Sequence, residues 1–328
     1  MGSVRATLIA AGLSCHLLLT AFGAEARQCA GAPAVLASFV SGQDIPESVT
    51  TDDAGNLYVS VGNTVQIRPP GGAGTFSVLG TLPLPIAALG IKVGPDGCVY
   101  NASTSLSAVP GAFVWKMCGV DSVEAFAELD QAGAPNDLAF DDDGSLFVTD
   151  PLLGLIWKLD TDGNPEVFLQ HPLLGGDPAS PALLFRQVGV NGIAFDKHHE
   201  NLFVSNTDSG TILRIDLRAA APVPVVLARD PRLRGADGIG FDRSGELFVA
   251  VNATDTVASV DKRGHVRILA TGGYLDGPSS VVFGARPQDK HTLYVMSSAF
   301  SRTLGFQLGT PVPALLTLRV ATPGSSLP

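Results

Sequence analysis

A single pattern recurs six times along this chain and limits what it can fold into. Its clearest copy, residues 135–150 (PNDLAFDDDGSLFVTD), alternates apolar and polar residues, breaks at Asp143-Gly144, and ends in a second apolar run. Alternation at period two predicts strands, and an Asp-Gly step between two such runs predicts a tight hairpin. Further copies start at Pro46, Ala88, Val190, Ala236 and Pro278. Aligning them picks out one equivalent position in each: Glu47, Leu89, Asn136, Asn191, Asp237 and Ser279, separated by 42, 47, 55, 46 and 42 residues. Repeats of about 40–50 residues built from several short strands predict an all-β, six-bladed β-propeller with one blade per repeat.

Each later copy is preceded by a short apolar strand, such as VEAFAEL or VRILATG, that forms the outer edge of the blade it ends. The first such strand, residues 35–41 (VLASFVS), has no preceding blade. It is therefore expected to complete the last sheet, built from residues 278–308, closing the ring and leaving no long unpaired edge. The propeller is thus assigned to residues 27–308. Residues 309–328 are set aside as a proline-rich tail that packs outside it or frays. The longest step, between Asn136 and Asn191, reflects an insertion at residues 171–188. That loop carries Leu183, Leu184, Phe185 and Arg186, and is expected either to cover a site or to be a tolerated surface excursion.

The first 26 residues form a secretory signal: Arg5, a largely apolar run over residues 6–19, and a small-x-small cleavage site at Ala24-Glu25-Ala26. The expected location is secreted or periplasmic. No later stretch is apolar enough to span a membrane. The mature chain keeps Cys29, Cys98 and Cys118, and antiparallel pairing of adjacent strands brings the last two together as a disulfide. Asn101-Ala-Ser and Asn252-Ala-Thr match the glycosylation sequon. A net charge of −10, from 21 basic and 31 acidic residues, disfavours a nucleic-acid partner. Oligomeric state is left open.

The chemistry lies at the equivalent position. In a propeller the innermost strand of each blade lines the central channel, and residues at its start converge on one mouth. A lone Asn or Asp before a strand is usually a turn residue bonding its own backbone. Four at one repeat position are harder to assign to turns. Glu47, Asn136, Asn191 and Asp237 supply two carboxylates and two amide oxygens, hard donors that suit Ca²⁺ and carry the matching charge. Without thiol or imidazole, the set argues against zinc or copper. The run Asp141-Asp142-Asp143-Gly144 lacks the spacing of a calcium loop and reads as a hairpin turn. His198-His199 reads as a solvated turn, and Trp115 and Trp157 as blade packing.

These residues resemble the senescence-marker-protein/gluconolactonase (regucalcin-like) family, related to diisopropylfluorophosphatase and paraoxonase. Pro46-Glu47, Pro135-Asn136-Asp137, Asn191-Gly192 and Asp237-Gly238 match its metal ligands in order and type. The resemblance covers roughly residues 35–308 and implies a catalytic divalent ion, usually Ca²⁺, in the channel. It implies hydrolysis of a lactone, ester or phosphoester, with Asp237 as base or nucleophile and Glu47 as second candidate. Sugar-lactonase members carry arginine two residues before the third-repeat asparagine, where this chain has Ala134. The expected substrate is therefore a small, rather apolar molecule in a pocket lined by Leu89, Pro135, Arg186 and Ser279. The alternative is a non-catalytic secreted propeller, a binding module stapled by Ca²⁺.

Overall fold

Six four-stranded antiparallel sheets account for all 24 strands among the described residues of the computed structural model. These are residues 31–72, 75–105, 107, 109–179 and 187–325. The signal segment 1–26, Cys29, and Leu183, Leu184, Phe185 and Arg186 lie outside them. In five blades the strands follow one another from channel to rim in chain order. The inner strands are Pro46–Thr51, Ile86–Val93, Leu138–Phe140, Val190–Phe195 and Ala236–Phe241, with Pro278–Phe283 in the sixth blade. The six-bladed propeller read from the repeats is the observed fold.

The recurrent Leu-Phe-Val run explains how neighbouring blades lock together. Its aromatic residue, on the second strand, meets the phenylalanine that ends the next blade's inner strand. Tyr100 meets Phe140, Phe147 meets Phe195, Phe203 meets Phe241, and Phe248 meets Phe283, with ring centroids 5.0–5.3 Å apart and planes at 74–89°. This edge-to-face geometry sets a positive ring edge against a negative face, worth about 0.5–1.5 kcal/mol per pair beyond burial. Trp115 and Trp157 pack in blade cores as expected. The disulfide between Cys98 and Cys118 is present, joining the start of one strand in blade two to the end of the next.

Ring closure follows the expected plan with one correction. The N-terminal strand, Ala34–Ser38, is the outer strand of the sixth blade. Its partner, however, is Ala314–Arg319, which pairs on its other side with Thr292–Ser297. The residues set aside as a tail thus supply the blade's third strand, and the propeller extends past Leu308. Pro311 and Pro313 end the preceding loop rather than marking the end of the fold. After them ALLTLR buries both faces: Ala314, Leu316 and Leu318 enter one core cluster and Leu315 the next. Among the described residues no helix is long and apolar enough to cross a membrane.

Truncation after Leu308 removes the strand between Ala34–Ser38 and Thr292–Ser297. The shortened chain should be insoluble or rapidly digested by trypsin under conditions where the full chain resists. A soluble truncated form with an unchanged melting temperature would contradict this account of closure.

Candidate functional site

Five of the six equivalent positions sit in a β-bulge, and the sixth, Asn136, lies just ahead of its ladder. The pairing of inner and second strands slips between Pro46 and Val49, Ala88 and Ile91, Val190 and Ile193, Ala236 and Ile239, and Pro278 and Ser280. Glu47, Leu89, Asn191, Asp237 and Ser279 fall inside those slips. In blade three Asn136 N–H donates to Thr149 O, and Thr149 N–H donates to Asp137 O, just before the regular ladder begins. A bulge adds a residue that the partner strand cannot match, and so re-aims a side chain. Hydroxyls on the second strand take up the backbone N–H that the bulge leaves over. Ser60 accepts from Ser48 N–H at 2.9 Å, Thr149 from Asp137 N–H at 3.1 Å, and Ser205 from Gly192 N–H at 2.8 Å.

The backbone carbonyls of the four proposed ligands are tied in turn to the preceding blade. Gly90 N–H donates to Asn136 O at 2.8 Å, Ser205 Oγ to Asp237 O at 2.7 Å, and Ser279 Oγ to Glu47 O at 2.5 Å. Thr149 Oγ1 donates to Asn191 O. Ser279, expected to line the pocket, therefore has its hydroxyl proton engaged in this ring. Of the other expected lining residues, Leu89 is half-buried and Pro135 buried. Close approach of the blades demands glycine after two of the ligands. A Cβ on Gly192 would lie 2.3 Å from Asp237 O, and one on Gly238 2.7 Å from Ser279 O.

Three carboxylates lie near enough to repel one another, two of them buried. Asp237 is 6% exposed and Asp137 8%; Glu47 is half-buried, but its Oε2 is sealed from solvent and has no hydrogen-bond partner. Desolvation, then the charges of Asp237 and Asp137, hold the Glu47 carboxyl well above the usual range. Burial raises Asp237 to about 8, with Asp137 adding to it, against Asn252 and Gly238 N–H, which favour the ionised form. Asp137, also raised by burial, accepts from Leu138 N–H at 2.9 Å and Ile193 N–H at 3.2 Å. Asn191 Oδ1 is a second buried oxygen without a partner. Orphaned carboxylate and amide oxygens beside carboxyls that resist ionisation fit a hard divalent cation, which would satisfy both. Glu47, Asn136, Asn191 and Asp237 are the residues that could hold it.

Sequence reasoning missed several members of this site. Asp137 was noted only as part of the Asn136 motif. Asn252 was read as a sequon, yet its Nδ2 donates to Asp237 Oδ2 at 2.9 Å. The other sequon residue, Asn101, is fully buried, its Nδ2 donating to Leu89 O and Gly90 O at 3.3 and 3.0 Å, so the folded chain offers no acceptor there. Extending the repeat alignment one strand further would have placed Thr207 and Asn252 at matching positions.

A cavity of about 600 Å³ opens at the opposite mouth of the channel, where the inner strands end, lined by residues including Thr50, Lys92, Ala139, Ala194 and Gly240. His199 at that mouth is not the freely solvated turn residue expected. Its ring stacks on Phe195 at 4.8 Å, and Nδ1 lies 3.3 Å from both Asp141 and Asp142. The insertion is anchored at both ends: Asn206 Nδ2 donates to Leu173 O and Gly175 O, and Asp208 Oδ2 accepts from Val188 N–H.

A model of the SMP-30/gluconolactonase/LRE-like region matches residues 111–299. The chain belongs to this family. A gluconolactonase of Zymomonas mobilis is 26% identical over 225 residues, covering 64% of this chain and 60% of that relative, so the match spans less than two thirds of its length. A gluconolactonase of Xanthomonas campestris has a similar structure, with a TM-score of 0.63 at 19% identity over 88% of this chain and 89% of that one. A regucalcin of Agrobacterium tumefaciens, a calcium-binding protein, has a TM-score of 0.61 at 18% identity, over 87% and 92% of the two chains. At such identities the structural likeness establishes the fold.

The raised carboxyls set the sign of the pH dependence. Groups whose folded pKa exceeds the unfolded value stabilise below the unfolded pKa, near 4, and that stability is lost as pH rises through the folded value. In chelator, the melting temperature should therefore fall between pH 5.5 and 8.5. Added Ca²⁺ should raise it more at pH 8.5, where binding relieves the buried charge, than at pH 5.5. A chelated melting temperature that is flat or rising across this window would contradict the assignment.

Substituting Gly192 by alanine should destabilise the fold by about 1–3 kcal/mol, the usual cost of overpacking, because the Asp237 carbonyl cannot retreat from the ring. Urea denaturation of the variant measures it.

Proposed function

We propose that this protein is a Ca²⁺-dependent hydrolase of a lactone, ester or phosphoester, with Glu47, Asn136, Asn191 and Asp237 holding the ion. The observation that carries this reading is the pair of buried, unpartnered oxygens, Glu47 Oε2 and Asn191 Oδ1, in the ring of raised carboxyls. Bound there, Ca²⁺ would polarise a substrate carbonyl or phosphoryl oxygen as a Lewis acid. Asp237 is oriented by Asn252 and takes a proton from water or attacks the substrate directly. Glu47 is the second candidate for that role. Ala134, in place of a cation, and the apolar neighbours Leu89 and Pro135 favour a substrate of low polarity.

The same proposal includes export. Arg5, the apolar run and Ala24-Glu25-Ala26 carry it, and the Cys98–Cys118 disulfide suits an oxidising compartment.

A panel of aliphatic lactones, aryl esters and phosphotriesters, assayed with and without EDTA, tests the activity. Turnover should vanish in EDTA and return with Ca²⁺. Asp237→Asn keeps an oxygen donor but loses basicity, so kcat should fall at least about 100-fold while Ca²⁺ binding remains measurable by calorimetry. Asn136→Ala should weaken Ca²⁺ binding and turnover together. Wild-type turnover by Asp237→Asn would remove Asp237 from the chemistry. Ca²⁺ binding with no hydrolysis across the panel would favour the binding module.

A further inference from the structure

The hydroxyl of Thr207 decides which atom of Asn191 faces the channel. Thr207 Oγ1 lies 2.8 Å from Ala236 O, a carbonyl that can only accept, so the hydroxyl proton is engaged there. Oγ1 then has only lone pairs to offer, and Asn191 Nδ2 donates to it at 3.0 Å. The reversed amide would set Oδ1 against Oγ1, two acceptors with no proton between them. Asn191 is thereby fixed with Nδ2 held back in the blade. Oδ1, the buried atom without a partner, is left for something else.

Blade five repeats the device. Thr207 is the first residue after the strand Asn201–Asn206, and Asn252 the first after the matching strand Leu247–Val251. Thr207 lies 16 residues after Asn191, and Asn252 lies 15 after Asp237. Asn252 Nδ2 holds Asp237 Oδ2 at 2.9 Å, fixing the rotation of that carboxylate. Thr207 is buried and Asn252 half-buried. We propose that Thr207 and Asn252 are positioning residues that turn one oxygen each of Asn191 and Asp237 toward the axis, and thereby set the site's affinity for a divalent cation. This rests on the axial site being a Ca²⁺ centre. Neither residue touches the ion; each acts by removing an alternative orientation of a ligand. Losses of about 10–100-fold in metal affinity are typical when such outer partners are removed.

Calorimetric titration of the full chain with Ca²⁺ alone tests this. Thr207→Val keeps the shape of the side chain but removes the hydroxyl, and should weaken binding about 10–100-fold. Thr207→Ser should restore it. Asn252→Leu, at a half-buried turn, should weaken binding by a similar factor and keeps the test open if Thr207→Val does not fold. One further variant separates orientation from mere packing. Asn191→Asp has two equivalent oxygens and no wrong orientation, so adding Thr207→Val to it should cost far less affinity than Thr207→Val costs alone. Equal losses in both backgrounds would overturn the proposal. So would Ca²⁺ binding that is lost in Glu47→Gln but unchanged in Thr207→Val and Asn252→Leu, a result that leaves the axial site standing. Binding unaffected by Glu47→Gln would remove the axial site and this inference with it.

Discussion

Everything at the axis depends on hydrogen bonds that cross from one blade to the next. Gly90, Thr149, Ser205 and Ser279 each donate to the carbonyl of the candidate ligand in the following blade. The backbone that aims each ligand is thus held by its neighbour as well as by its own sheet. In the bulged blades the slip turns a carbonyl out of the ladder and toward its neighbour, and in blade three Asn136 lies ahead of the ladder altogether. A buried carbonyl freed in this way needs a donor, and the hydroxyls and glycine N–H groups supply one. Site geometry and blade spacing are consequently one problem, solved by the same few atoms.

The two ends of the channel meet different demands. At the end where the inner strands begin, carboxyls are packed where ionisation is unfavourable, and two oxygens lack partners. At the other end, edge-to-face aromatic pairs at four of the six blade junctions hold the ring together through dispersion and quadrupole complementarity. Those pairs flank the mouth into which the cavity of about 600 Å³ opens. Groups that packing alone would reject are expected where a site has chemistry to perform.

The fold, and the repeat position that the candidate ligands share, were legible in the sequence because both repeat. Period-two alternation, Asp-Gly turns and a fixed step place Glu47, Asn136, Asn191 and Asp237 at one position without any three-dimensional information. What was not legible breaks the repeat or lies one strand away from it. The strand Ala314–Arg319 follows a proline-rich loop that masks its alternation, so it passed for a tail. Asn252 matches a sequon, a local pattern that says nothing about burial or about a carboxylate 15 residues earlier in the chain. Asp137 stands directly after a candidate ligand, and its carboxyl accepts from Ile193 N–H of blade four, a contact that no local pattern announces.

The braid that closes the ring has a consequence for how the molecule is made. Thr317 Oγ1 donates to Ala34 O across 283 residues of chain. During synthesis the first strand emerges with no partner and keeps an open edge until residues 314–319 have left the ribosome. Five blades can form in order behind it, but the circle stays broken until the last of the chain arrives. A propeller that cannot shut early carries an unpaired strand edge for most of its synthesis, and that edge stays open to pairing with other chains until the circle closes.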